Sequence, residues 1–131
     1  MFNSTTIPAL QQVINFTEAR HGVLAGNVAN WDTPGYRVRD LSVETFQNRL
    51  KEALIEEQDA TVSLSEWATG PQDPMRRVRE SMEHVLYHDE SNVSLEHQVT
   101  EISKNQYMHN VAVAILRSQF QLLQSAISER V

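Results

Sequence analysis

The feature that most restricts the fold of this chain is a long apolar repeat in its C-terminal third. Residues 94 to 130 contain neither glycine nor proline, and stripe positions recur at alternating spacings of four and three. This spacing lines side chains along one side of an α-helix, so we predict a C-terminal helix over 94–130. The stripe consists of Leu95, Val99, Ile102, Gln106, His109, Val113, Leu116, Phe120, Leu123 and Ile127.

Further apolar residues widen this stripe, especially towards the C-terminus. They are Ala112, Ile115, Leu122 and Ala126. A two-stranded coiled coil needs apolar residues only at its two seam positions. The additional width predicts that the helix packs against more than one neighbour, so these residues would gain their full burial in an assembly.

A second helix is predicted over residues 7–30, near the N-terminus. Leu10, Ile14, Leu24 and Val28 follow the same spacing, and the polar Thr17 and His21 fill the middle of the stripe. We interpret both stripes as packing surfaces with polar centres.

The middle of the chain is less regular. Phe46, Leu50 and Leu54 predict a short helix over 42–57. Residues 58–92 are predicted to be loop-rich, because Gly70, Pro71 and Pro74 interrupt regular structure, with a weak strand around 85–87. Residues 31–41 form a turn and exit segment, and we treat 1–131 as one domain of mainly α class.

Composition excludes several classes of function. The net charge is −6 and there is no cysteine, which argues against nucleic-acid binding, binding to an anionic membrane and thiol chemistry. No apolar run is long enough for a membrane span, and the N-terminus lacks the pattern of a cleaved signal peptide. We found no catalytic motif, so we expect neither an enzyme nor a cofactor.

Histidines and arginines offer only weak alternatives. His84, His88 and His97 lack a carboxylate or cysteine that would complete a metal site, so we expect no metal. His21 and His109 fall in the stripes, where hydrogen-bonded register residues are a simpler interpretation than a pH switch. The basic cluster at residues 76–79 is interpreted as solvated surface, with a charge contact to a neighbouring subunit as the alternative.

The most informative motif lies directly after the first helix. Residues 29 to 36 read ANWDTPGY. Pro34 fixes the φ angle that the second position of a type II turn requires, and Gly35 permits the positive φ of the third position. Asn27 and Asn30 share a helix face and can bond free carbonyl groups at the helix end, while Tyr36 would fold back onto it. An ordinary helix stop is the plainer interpretation.

This octet resembles the A-N-x-x-T-P-G-Y motif of bacterial flagellar axial proteins, the rod and hook family. Six residues match: Ala29, Asn30, Thr33, Pro34, Gly35 and Tyr36. The YRVRD that follows, the short chain and the segment from residue 85 to 127 resemble the B-type protein of the proximal rod. The YMHNVAV segment at 107–113 is also a partial match to the proximal-rod C-type protein.

The resemblance implies a fold and a role. The N- and C-terminal helices would pair as an antiparallel coiled coil, and the stripes would pack subunits into the hollow drive shaft that carries torque from the membrane ring to the distal rod and hook. The implied partners are other rod proteins, the adaptor between rod and membrane ring, the flagellar type III export apparatus and further copies of the chain. The implied location is the periplasm-spanning rod of the basal body, reached without a cleaved signal peptide. The alternatives are the C-type protein and a helical adaptor that binds one partner without polymerising.

We predict that Gly35→Val disrupts the turn, because a β-branched residue resists positive φ. A strain that depends on this variant should assemble few flagella and swim poorly, as measured by motility assay and electron microscopy. Normal assembly and swimming would contradict the turn assignment.

Overall fold

The structure is a computed structural model that describes residues 6–60, 78, 86–88 and 95–129. Within these residues the helices and strands run in the order α1 (Thr6–Ala29), β1 (Arg39–Leu41), α2 (Val43–Ala60), β2 (Leu86–His88) and α3 (Leu95–Ser128). The predicted fold class, mainly α with long terminal helices and a short middle helix, is confirmed.

The two terminal helices pack side by side in opposite directions. Thr17 of α1 contacts His109 of α3, whereas Asn27, ten residues further along α1, contacts Gln98, near the start of α3. Positions therefore advance along one helix as they recede along the other, which confirms the antiparallel pairing. At 1.5 Å per residue, the 34 residues of α3 extend for about 51 Å.

Helix α2 begins directly after Ser42, which caps its first turn. The Ser42 hydroxyl accepts a hydrogen bond from the Thr45 amide (3.1 Å), and the Ser42 carbonyl accepts one from the Phe46 amide (3.1 Å). This is the geometry of an N-cap serine. The helix continues to Ala60, three residues beyond the predicted end at 57 and into the segment that we expected to be loop.

A two-stranded antiparallel sheet ties the exit segment to the later part of the chain. Arg39 pairs with His88 and Leu41 with Leu86. The strand predicted around 85–87 is present one residue later, whereas β1 was not anticipated within the segment 31–41. Apart from Val78, the rest of the predicted loop-rich middle, including Arg76, Arg77, Arg79 and His84, lies outside the described residues.

An apolar core joins α1, β1 and α2. The rings of Phe16 and Phe46 stack with their centroids 4.2 Å apart, and Leu41, Ala53 and Val78 complete the buried cluster. Around it pack half-buried apolar side chains: Val13, Val23, Val43, Leu50 and Leu54. The face predicted from Phe46, Leu50 and Leu54 is therefore the one that α2 turns towards α1.

The contact between α1 and α3 is mostly polar. We call its buried polar residues the polar seam: Gln12, Thr17, Arg20, Asn27, Gln98 and Asn105. On α3 the buried positions are Gln98, Asn105 and Ala112, each seven residues apart. Every second position of the predicted stripe lies one residue later, at Val99, Gln106 and Val113, so the stripe borders the helix contact and does not form its centre.

This difference has a physical cause. Polar side chains between two helices can be buried when they hydrogen bond directly across the contact, and five of the six residues of the polar seam do so. The exception is Gln12, whose buried Oε1 has no donor among the described residues. Stripe residues such as Val99 and Phe120 are consequently left half exposed, at 50% and 51%. Within the described residues, no helix combines the length and hydropathy that a membrane span requires.

We predict that Phe46→Ala lowers the free energy of unfolding by about 3–5 kcal/mol, because it removes a buried ring from the stack with Phe16. Chemical denaturation monitored by circular dichroism measures this. Phe120→Ala is the matched control: its ring is 51% exposed, so the loss should be below about 1 kcal/mol in the dilute chain. Equal losses for the two variants would contradict the assignment of the core.

Candidate functional site

The C-terminal end of α1 is capped twice by the same residue. The Asn30 backbone amide donates to the Gly26 carbonyl (3.0 Å), and the Asn30 side-chain amide donates to that same oxygen (2.9 Å). The Asn30 carbonyl in turn accepts from the Thr33 amide (3.0 Å). Asn30 therefore satisfies a carbonyl at the helix end and begins the turn that follows.

Residues 29–36, which we call the corner, then reverse the chain. The Tyr36 amide donates to the Thr33 carbonyl (3.2 Å), and Gly35 has a φ of +78°. This hydrogen bond, with positive φ at the third position, is the pattern of a type II turn. Ala29 and the segment from Trp31 to Gly35 are exposed, so the corner projects from the helix pair.

Asn27 connects the corner to the rest of the fold. It is fully buried, and its Oδ1 accepts hydrogen bonds from the Tyr36 hydroxyl (3.0 Å) and the Arg39 amide (3.1 Å). Its Nδ2 donates to the Arg39 carbonyl and to Gln98 Oε1 (3.2 Å). One side chain thus holds the turn, strand β1 and helix α3 to helix α1.

Asn27 and Asn30 therefore have different roles, although the sequence placed them on one face. An asparagine amide offers two donors and two principal acceptor positions, and Asn27 has a partner for each of them. Tyr36 folds back over the helix end as expected, and its hydroxyl lies 3.8 Å from where a Cβ on Gly26 would stand.

About two helical turns before Asn27 on α1, an ionic cluster joins the same three elements, which are α1, β1 and α3. Arg20 donates to both carboxylate oxygens of Asp40 (3.0 Å each) and to Glu101 Oε2 (2.7 Å). Glu101 Oε1 also accepts from Lys104 (3.2 Å). The Arg20 side chain is only 5% exposed. A buried guanidinium is tolerated when its charge is matched and its donors are used, as they are here.

The surroundings shift the pKa of two members of this cluster. Burial acts to lower the pKa of Arg20, but its hydrogen bonds to Asp40 and Glu101 outweigh burial and raise it. Burial acts to raise the pKa of Glu101, but its hydrogen bonds to Arg20 and Lys104 outweigh burial and lower it. Both groups are therefore held in their charged forms at neutral pH.

Sequence reasoning missed this cluster and most of the polar seam, although a signal was present. Thr17, Arg20, Leu24 and Asn27 follow a 3-4-3 spacing on α1. On α3, Gln98, Glu101 and Asn105 follow a 3-4 spacing. This spacing becomes visible only when polar residues are counted as seam positions. The spacing could not have identified Asp40, because the path of the chain through the corner decides where Asp40 lies.

The predicted packing residues fall into three groups by exposure. Leu95, Val99, Phe120 and Ile127 are exposed; Leu10, Ile14, Val28, Ile102, Val113, Leu116 and Leu123 are half-buried. Leu24 is completely buried within the chain, so the isolated chain leaves none of its surface exposed. Its assignment to subunit packing stays a prediction.

Helix α3 presents apolar surface on both sides of its contact with α1. The exposed stripe residues lie on one side, and Val111, Ile115 and Leu122 lie on the other, by helical geometry. Residues 118–128 contain no charged side chain. Exposed apolar surface of this extent is typical of a protein–protein contact.

The described residues offer no arrangement for metal binding, since no three His, Asp or Glu side chains among them cluster suitably.

Proteins similar to the chain are flagellar rod proteins. It is 26% identical over 117 residues to the flagellar basal body rod protein FlgB of Salmonella typhimurium, covering 83% of each chain. It is 28% identical over 129 residues to FlgB of Aquifex aeolicus, covering 92% of this chain and 90% of that one. It is 22% identical over 125 residues to FlgB of Bacillus subtilis, covering 95% of both. No family model and no solved structure matches the chain.

We predict that Asn27→Ala lowers the free energy of unfolding by about 2–4 kcal/mol, because it removes four hydrogen bonds and leaves backbone groups of Arg39 without partners. Tyr36→Phe removes only one of the four and should cost about 0.5–1.5 kcal/mol. Denaturant unfolding of both variants measures the difference. A cost for Asn27→Ala no larger than that for Tyr36→Phe would contradict the central role of Asn27.

We predict that the stability contributed by Glu101 disappears in acid. Its folded-state pKa is lowered from the usual 4.5, so its contribution is fully present above pH 4.5 and is lost as pH falls through the folded value. Glu101→Gln should be less stable than wild type by about 1–2 kcal/mol at pH 7 and equally stable at low pH. The exposed pair of Arg49 and Glu52 supplies the control, since Glu52→Gln should change little at any pH. A pH-independent difference for Glu101→Gln would contradict the assignment.

Proposed function

We propose that this chain is a structural subunit of the bacterial flagellar basal-body rod, specifically the B-type subunit of the proximal rod. The observation that carries the proposal is its similarity to FlgB proteins of several bacteria across most of both chains. The match to the Bacillus subtilis protein covers 95% of both chains, so it extends over most of both terminal helices.

The exposed apolar surface of α3 supports polymerisation. A subunit inside a shaft must contact neighbours on more than one side, and α3 carries apolar residues on both sides of the polar seam. Contacts that join different faces of identical subunits do not close on themselves and so can extend a helical array. A shaft of this kind would pass torque between subunits through packed helices.

The corner supports a role in setting subunit geometry. Asn27, Asn30 and Tyr36 fix the direction in which the chain leaves α1. A fixed exit direction would hold β1 and α2 at a constant position relative to the helix pair in every copy. Regular assembly depends on such constancy, because any variation accumulates along a polymer.

The proposal implies a set of partners and a route. The chain would contact further copies of itself, other rod proteins and the adaptor that joins the rod to the membrane ring. It would reach the periplasm-spanning rod through the flagellar export apparatus, without a cleaved signal peptide. No enzymatic activity or cofactor is part of this role.

Two alternatives differ in what they require. The C-type proximal-rod protein would share the fold, but FlgB proteins are the relatives that the chain resembles. A non-polymerising helical adaptor would need one apolar groove for one partner, whereas α3 exposes apolar residues on two sides. Several copies per basal body would support the rod, and a one-to-one soluble complex would support the adaptor.

The test is complementation of a deletion strain with Leu122→Asp, a change on a side chain that is 63% exposed. The variant should fold normally but enter basal bodies at least about tenfold less than wild type, with loss of swimming, because a charge would be buried between subunits. Gln121→Asp introduces the same charge at an adjacent exposed position away from both apolar sides and should incorporate normally. Absence of the wild-type chain from purified basal bodies, or normal incorporation of Leu122→Asp, would overturn the proposal.

A further inference from the structure

A groove lies between α1 and α3, with a volume of about 260 Å³, and most of the surface that it exposes is contributed by apolar atoms of its lining side chains. All seven residues that line it are polar, among them Glu18 and His21 from α1 and Asn105, Gln106 and His109 from α3. Gln106 and His109 are the polar positions of the α3 stripe. The groove therefore interrupts the stripe between its apolar halves.

Asn105 supplies a buried acceptor without a donor at this groove. The residue is 1% exposed, and its Nδ2 donates to the Thr17 carbonyl (2.8 Å). Because a carbonyl only accepts, this bond fixes which way the amide faces. Its Oδ1 is then buried and finds no donor among the described residues. An acceptor in this position destabilises the chain until a donor reaches it.

His109 adds a second acceptor. The Thr17 hydroxyl donates to the Ile14 carbonyl (2.9 Å), so the contact between Thr17 Oγ1 and His109 Nδ1 (2.8 Å) must use the hydrogen on Nδ1. The neutral imidazole then carries its lone pair on Nε2. With the exposed Glu18 carboxylate at the rim, the groove is suited to a cationic group that has several N–H donors.

The chain itself carries a matching group. Arg117 is the only charged side chain between residues 105 and 128. It lies four residues after Val113 and three before Phe120, so it borders the same stripe. It is exposed, and neither Arg117 nor Glu18 has an ion-pair or hydrogen-bond partner in the described part of the chain.

We propose that the groove receives the guanidinium of Arg117 from a second copy of this chain, packed against the stripe. Gln106 and Arg117 are separated by 11 residues, or about 16 Å of helix, so a parallel neighbour shifted by about three turns would bring the two together. Glu18 and Asn105 Oδ1 would accept hydrogen bonds from the guanidinium. This contact rests on the proposed rod function and would set the axial register between neighbouring copies.

The pairing is tested by charge exchange in basal bodies. Glu18→Arg and Arg117→Glu should each lower incorporation at least about tenfold, and the double variant, with the charges exchanged, should restore most of it. Glu44→Arg, at an exposed position of α2, is the control for a charge reversal elsewhere and should incorporate normally. A double variant no better than the worse single variant would overturn Arg117 as the occupant.

A second measurement on the dilute chain does not depend on the rod. Methylguanidinium should shift the NMR signals of the Asn105 side-chain amide saturably, with a dissociation constant on the order of 10 mM, whereas tetramethylammonium, which has no N–H donor, should not. Glu18→Gln should weaken binding about threefold, and Glu44→Gln should not. Absence of a saturable shift, or equal shifts with both cations, would overturn the groove as a cation site. Absence of the wild-type chain from basal bodies would instead refute the rod function, and the titration would still decide the chemistry of the groove.

Discussion

The fold depends on polar side chains buried between two antiparallel helices. Arg20 joins α1 to Asp40 of β1 and Glu101 of α3, and Asn27 joins α1 to Arg39 and Gln98. A purely apolar contact could slide or rotate at small energetic cost. Directional bonds permit one register, because a shifted helix would leave buried donors and acceptors without partners. The polar seam therefore specifies the geometry from which both apolar sides of α3 face outward.

Buried polar residues and exposed apolar residues would suit a chain that folds alone and then associates, as we propose for the rod. The apolar core formed around Phe16 and Phe46 holds α2 against α1, while α3 contributes little to it. Helix α3 instead leaves much of its apolar surface exposed. The apolar core that stabilises one copy is thus separate from the exposed apolar surface of α3 that would join several copies.

The sequence predicted the elements better than the contacts between them. Uninterrupted periodicity located α3, and Pro34 with Gly35 located the turn, because both effects are local. The contact face predicted for α3 is rotated by about one residue from the observed face. Apolar periodicity alone cannot reveal a contact that is centred on Gln98 and Asn105. Strand β1 and the role of Asp40 depend on where the corner directs the chain, which is a property of the tertiary structure.

Three of the four hydrogen bonds of Asn27 span the corner, from its own position in α1 to Tyr36 and Arg39 beyond the turn. A side chain so short reaches its partners only if the intervening backbone has one particular path. Changes of residue type at exposed corner positions such as Trp31 and Asp32 leave that path intact. A residue that resists the positive φ of Gly35, or an insertion or deletion between Asn27 and Arg39, displaces it. Evolution of this segment should therefore proceed by substitution at constant length.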